Sequence, residues 1–285
     1  MWPHDGTQRF VLSLPQLREL HGVFVSADRI VAKPSVYLIG RQTVNEEALR
    51  HFLGDEGCLF ETDTKVPAEI LAETAGRACY MSYGKGRKTN RDYLERIIES
   101  HHGSVLEHAV WNFLITGISR SLTHELIRHR AGWGFSQLSQ RYVDESDARY
   151  VVPPLIRDNP TLKPLWLKSI ESAHASYVEL ATALEKVVEQ QHPELVPTDR
   201  RKKVRETARS VLPNACETKI FVTANARALR HFVELRGSAH ADAEIRELAV
   251  TMAKLLKKES PNLFSDVEIV NEGGVDVVRV VHSKV

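Results

Sequence analysis

Apolar positions along the chain change their spacing several times, and each change marks an element. In "SVYLIG" (35–40), Val36, Tyr37, Leu38 and Ile39 sit consecutively between Pro34 and Gly40, which predicts the first core strand. Residues 66–82 turn to helical spacing through Ile70, Leu71, Ala75 and Ala78. A second helix is predicted over 90–102, with Asn90 as N-cap and Tyr93, Leu94, Ile97 and Ile98 as its apolar face. "HAVWNFLITGI" (108–118) is rich in β-formers and reads as a buried strand. Helical spacing returns over 119–130 through Leu122, Leu126 and His129, until Gly132 and Gly134 break it.

Residues 164–192 read as one long helix. Trp166, Ile170, Ala173, Tyr177, Leu180, Leu184 and Val187 alternate steps of four and three, a seam for packing within the chain or between subunits. Pro193 and Pro197 end it, and Thr198 or Asp199 caps the next helix. Residues 217–224 read as a strand, 225–258 as helix with a break near Gly237, and 267–282 as a hairpin turning at Gly273-Gly274. Interspersed helices and strands predict an α/β (α+β) single domain. Its expected centre is a mostly antiparallel sheet flanked by helices, with a helical insertion at about 155–205. Residues 1–34 carry a weak pattern and read as an N-terminal extension to a catalytic domain over 35–285.

Charge narrows the function classes. The chain has 285 residues, 38 Lys plus Arg against 37 Asp plus Glu, and a net charge of +1. A protein that holds nucleic acid through bulk positive field is therefore not expected, and the run Arg200 to Arg205 reads as a solvated helix face. Cys58, Cys79 and Cys216 are too few and scattered for a disulfide framework, and Cys79 and Cys216 look buried. The start lacks the pattern of a secretory signal, and no window approaches a membrane span, so a cytoplasmic protein is expected.

Histidines gather at positions 101, 102, 108, 124 and 129. His124 and His129 are five residues apart, which leaves their rings roughly 140° apart around a helix, so no metal site is expected. More telling is "IRHRAGWGFSQLSQRY" (127–142), where Arg128, His129 and Arg130 meet a loop rich in amides and hydroxyls. Arg offers a fork of donors for phosphate or carboxylate, and such a loop can read a planar heterocycle. "HHGSVLEH" packs His102, Ser104 and Glu107 into a short span. "NARALRHFVELRGSAH" spaces Arg227 from His231 and Arg236 from His240 by four, two pairs that share a face wherever the helix is continuous. Together these suggest a phosphate-bearing ligand.

These segments resemble the flavin-dependent thymidylate synthases. "HGSVLEH", "ELIRHR" followed by "SQLSQRY", "ARSVLPN" and "NARALRHFVELRGSAHADAEIR" carry the likeness, which covers about 35–270 and is highly specific in this order. One departure stands out. The family separates its R-H-R from the serine by seven residues, whereas eight lie between Arg130 and Ser139 here, the extra one placed in "AGWG".

The resemblance implies reductive methylation of dUMP to dTMP, with methylenetetrahydrofolate as one-carbon donor and NADPH reducing FAD. It also implies a homotetramer with shared active sites. By position it implies flavin contacts at His102, Ser104, Arg128, His129, Arg130, Asn225, Arg227, His231 and His240. It implies dUMP contacts at Arg120, Glu125, Gln137, Ser139, Gln140, Arg141, Arg209 and Arg236. Among these Arg236 is assigned to polarise the uracil, and Ser139 to position it. The competing expectation is a homologue that binds flavin and nucleotide but has lost catalysis.

Overall fold

The computed structural model describes residues 27–283 and 285. Residues 1–26 of the expected N-terminal extension lie outside this range. Its described part already joins the fold: β1 (Ile30–Val31) pairs in parallel with β5 (Tyr150–Val151).

The centre is a four-stranded sheet of β2 (Ser35–Arg41), β3 (Val110–Ser119), β6 (Glu217–Asn225) and β4 (Trp133–Gln137), in the order β2-β3-β6-β4. All three pairings are antiparallel. Alternation decides which face is buried. Trp111, Phe113 and Ile115 of β3 and Ile220, Val222 and Ala224 of β6 point inward and are at most 1% exposed. Against them pack α2 (Pro67–Tyr80), α3 (Asn90–Glu99), α4 (Arg120–Leu126), α8 (Ala226–Arg236) and α9 (Ala243–Glu259), with the hairpin β7 (Val267–Glu272) and β8 (Val275–Val280) closing the edge of the core. On the opposite face Tyr37, Leu114 and Phe221 form one row across β2, β3 and β6. Tyr37 is 53% and the neighbouring Ile39 57% exposed, so this face carries uncovered apolar surface.

Between β5 and β6 the chain makes the short helix α5 (Pro154–Arg157), the long α6 (Leu162–Gln191) and α7 (Pro197–Ala208). The seam of α6 is only half used. Ile170 and Tyr177 are buried, but Leu180 and Val187 are exposed and the buried residue of the last turns is Val188.

Several sequence expectations change in detail. The glycine-bracketed "WGFSQ" is not loop but the edge strand β4, its register fixed by Trp133↔Ala224 and Gln137↔Ile220. Alternating Trp133, Phe135 and Gln137 face the core, a short period-two signal that the glycines hid. The first helix, α1 (Glu46–Asp55), went unmarked because its apolar stripe is thin, with Leu53 alone buried. Asn90 is not the N-cap of α3. Thr89 Oγ1 accepts from Asp92 N, and the Asn90 side chain is buried, donating to Glu73. Neither Thr198 nor Asp199 caps α7: the N-cap is Val196, and Pro197 opens the helix because its missing N–H costs nothing there. Cys79 is exposed, whereas Cys216 is buried as expected.

Candidate active site

The helix that carries "ELIRHR" starts at Arg120 and stops at Leu126. Ser119 caps it, its Oγ accepting from Leu122 N at 3.0 Å. Arg128, His129 and Arg130 therefore sit in a turn between α4 and β4 rather than on a helix. Arg128 and Arg130 are exposed, while His129 is 8% exposed. The ring of His129 meets Phe232, His231 and Trp133 at centroid distances of 5.3, 5.7 and 6.1 Å.

Above it lies Arg236, in the last turn of α8. Its Nε donates to His129 Nε2 at 3.2 Å and its Nη1 to Glu125 Oε2 at 2.6 Å. Accepting at Nε2 makes His129 the neutral tautomer that carries its proton on Nδ1. Burial, then the Arg236 charge and then His231, push His129 down from 6.5 to about 4. The sign follows. The unfolded chain binds this proton from pH 6.5 downward and the folded one only near pH 4, so folding loses stability as pH falls through that window, on the order of 3 kcal/mol in all. His129→Gln is expected to abolish that part of the acid sensitivity, which thermal unfolding followed across the same window measures.

The N-terminus of α8 forms a second centre. Asn225 caps it, Oδ1 accepting from Ala228 N at 2.9 Å. Arg227 follows, its Nη1 donating to Glu107 Oε1 at 2.7 Å and its Nε to the Val285 carbonyl at 3.2 Å. Two glycines let other segments come close. A Cβ on Gly103 would lie 2.7 Å from Arg227 Nε, so the segment carrying His102 and Ser104 abuts this arginine. Gly132 has φ +74° and a Cβ there would meet Asn225 Nδ2 at 2.7 Å. The result is a cavity of about 460 Å³ lined by Gly132, Asn225, Arg227 and His231 together with Glu107 and His282. That volume lies within the range of small-molecule sites. A helix N-terminus with a forked cation suits a phosphate or pyrophosphate. The Arg227–Glu107 pair is 46% exposed on both sides, so exchanging Glu107 for phosphate costs little. These residues fit FAD.

Four of the expected nucleotide residues, Gln137, Ser139, Gln140 and Arg141, lie at the end of β4 and in the turn after it, while Arg120 and Glu125 sit on α4. Gln137 Nε2 donates to Thr123 Oγ1 at 3.1 Å and Thr218 Oγ1 at 3.3 Å, tying α4 to β6. Ser139 opens a turn whose carbonyl accepts from Tyr142 N and Val143 N. Gln140 is buried with Nε2 3.6 Å from Cys216 Sγ, and Arg141 pairs with Glu206 at 3.1 Å. Arg209 begins the short 3₁₀ turn after α7. Cys216 is pushed up to about 12, first by burial, so it stays a thiol and offers no thiolate nucleophile.

Not every expected residue converges. His240 is exposed in the segment after Gly237, where α8 has ended, so Arg236 and His240 share no helical face. Among the described residues no group of three or more His, Cys, Asp or Glu is placed to hold a metal. His282 was missed: nothing in the hairpin pattern marks it as lining a cavity. Glu145, which lies under Gln140, was also missed, since "DESDAR" reads as a polar loop.

Comparison with known proteins identifies the family. Residues 62–262 match the family described as "Thymidylate synthase complementing protein". A flavin-dependent thymidylate synthase of Mycolicibacterium vanbaalenii is 51% identical over 204 residues, 70% of this chain and 80% of the relative. One from a Mycobacterium species, strain JLS, is 51% identical over 214 residues, 74% of this chain and 84% of the relative. One from Mycobacterium marinum is 49% identical over 204 residues, 70% of this chain and 80% of the relative. The chain belongs to the flavin-dependent thymidylate synthase family.

Proposed function

We propose that this chain methylates dUMP reductively to dTMP, using methylenetetrahydrofolate as one-carbon donor and NADPH as reductant. The observation that carries the reading is the pairing of two centres through one turn. Arg128 to Arg130 connect a phosphate-suited cavity at the start of α8 to the amide and hydroxyl row of Gln137, Ser139 and Gln140. FAD, when bound, supplies the redox step that no side chain provides. Asn225, Arg227, His231, Ser104 and His102 would hold it, with Arg128, His129, Arg130 and His240 as further contacts.

The protein's own part is placement and electrostatics. Arg236 stabilises negative charge developing on the uracil, and its fork is aimed by Glu125 and the neutral His129. Arg120, Arg141 and Arg209 hold the phosphate end, and Ser139, Gln137 and Gln140 fix the base. Among the described residues no side chain that could act as a general base hydrogen-bonds Ser139 Oγ, which accepts from Arg141 N at 3.4 Å, so a positioning role suits it.

A homotetramer with shared sites extends the reading. The apolar row of Tyr37, Ile39 and Phe221, and the exposed Leu180 and Val187 of α6, are surfaces that a further copy of the chain would cover. A cytoplasmic setting is part of the same reading, and among the described residues no helix is long and apolar enough to cross a membrane.

Purified protein loaded with FAD is expected to be yellow and to release tritium from 5-labelled dUMP only when both NADPH and methylenetetrahydrofolate are present. A protein that cannot be loaded with FAD, or a yellow one that forms no dTMP, would overturn the assignment.

A further inference from the structure

Beneath the row of nucleotide residues lies a buried polar cluster with two open valences. Glu145 is 5% exposed. Its Oε2 lies 3.7 Å from Cys216 Sγ, which in turn lies 3.6 Å from Gln140 Nε2. Its backbone N donates to Tyr177 Oη at 3.2 Å, fixing it against α6. Arg120 enters from the other side, its backbone N donating to the Cys216 carbonyl at 3.0 Å. Among the described residues, Glu145 Oε1 and Arg120 Nη1 are both buried without a hydrogen-bond partner. An unpartnered carboxylate oxygen and an unpartnered guanidinium nitrogen in one cluster are costly unless something completes them.

We propose that Glu145 is a positioning residue for the nucleotide: it orients Gln140 and Arg120 in the free protein, and it takes up a proton when Arg120 turns its open Nη1 to a nucleotide phosphate. The inference rests on the reading above that Arg120 and Gln140 face dUMP.

The physics is a competition for one cation. In the free protein Arg120 is the cation that steadies the Glu145 carboxylate. Burial already pushes Glu145 up from its ordinary range, while the Cys216 thiol, the Arg120 charge and Gln140 oppose the shift. The groups that face it are few. Arg120 comes from α4, Tyr150 from β5, Cys216 from just before β6, and Tyr177 from α6. Asp144 and Gln140 come from its own loop, and Asp144 raises Glu145 further. Cys216 and Tyr150 are themselves pushed above their usual values, so neither supplies charge at neutral pH. A phosphate seated on Arg120 draws off the one cation that faces Glu145 and adds a second anion, and the cheapest response is the neutral acid. With the bound state favouring the protonated form, affinity for dUMP falls as pH rises past the free-protein titration of Glu145.

The test compares the FAD-loaded wild type with Glu145→Gln and Glu145→Ala. Titration calorimetry with dUMP, in buffers of different ionisation enthalpy across neutral pH, counts protons taken up. The phosphate's own proton is common to all three proteins and cancels. Glu145→Gln mimics the neutral acid. It is expected to bind dUMP at least as tightly as wild type, with proton uptake smaller and the pH dependence of KM flattened. Glu145→Ala leaves Gln140 and Arg120 unaimed and is expected to raise KM for dUMP about tenfold with much less effect on kcat. Unchanged proton uptake and pH dependence in Glu145→Gln would overturn the proposal, as would an unchanged KM in Glu145→Ala. Should Glu145→Ala fail to fold, the Gln variant alone decides. A wild type that binds no dUMP at all would instead remove the underlying functional reading.

Discussion

Arg236→Ala is expected to lower kcat/KM for dUMP by about 10²–10³ while the protein keeps its flavin. The size follows from where the charge sits. A donor aimed at developing negative charge in a partly enclosed site is worth more in the transition state than in the ground state. Arg236 is 22% exposed and its fork is held from two sides, by Glu125 at 2.6 Å and by His129 at 3.2 Å. Its guanidinium thus needs little rearrangement on meeting the substrate. Arg236→Lys is expected to recover little, because an ammonium cannot engage both partners in one plane. The measurement pairs steady-state kinetics with flavin absorbance after gel filtration. Loss of flavin together with activity would show that Arg236 holds the fold around His129 instead of the substrate.

A second large effect belongs to the wall of the cavity at the start of α8, the proposed flavin site. Arg230 and Asp266 form a buried ion pair, 3% and 9% exposed, with contacts of 2.6 and 2.9 Å. Arg230 also donates to the Leu263 carbonyl at 3.0 Å, and Asp266 accepts from His282 N at 3.0 Å. The pair therefore ties α8 to the hairpin and to the strand end that brings His282 to the cavity. Burial would push the Asp266 carboxyl up, but the Arg230 hydrogen bonds and charge hold it below the ordinary carboxylate range. Arg230→Ala strands this charge and is expected to cost about 3–5 kcal/mol, roughly 10 °C in thermal midpoint, and to weaken flavin retention. Arg230→Met with Asp266→Leu removes both charges and is expected to restore most of the stability but not the flavin affinity. The wild-type contribution is fully present above the unfolded Asp pKa and is lost as pH falls through the lower folded value, so acid unfolding reports it as well. A small loss in Arg230→Ala would mean that the hairpin is held mainly by its apolar contacts.

Where sequence and structure part company, the cause is local. Strands β2, β3 and β6 and the helices α2, α3, α6, α8 and α9 were legible because each carries a long apolar period. The strand β4 was not, because Gly134 and Ser136 occupy its outward positions and left Trp133, Phe135 and Gln137 looking like loop residues. At the candidate site, motif spacing put Arg128, His129 and Arg130 together but could not distinguish their surroundings. His129 is packed among rings beneath Arg236, whereas its two neighbours face solvent. The segment "AGWG", where the sequence places the added residue, leads into β4, with Gly132 at positive φ and Trp133 opposite Ala224. Glu145 and His282 reach their positions through contacts far apart in sequence, which no local period reveals.

The strand order has a consequence for how this chain is made. Among the described residues β4, which ends at Gln137, pairs only with β6, which begins at Glu217, and β3 also lacks its inner neighbour until then. On a ribosome adding ~5–20 residues per second, these two apolar strands wait on the order of ten seconds with open edges. During that interval α6 and α7 emerge, so the helical excursion between β5 and β6 also sets the delay before the sheet can close. Nascent chains stalled before Glu217 would therefore be the species most prone to aggregate and most in need of a chaperone.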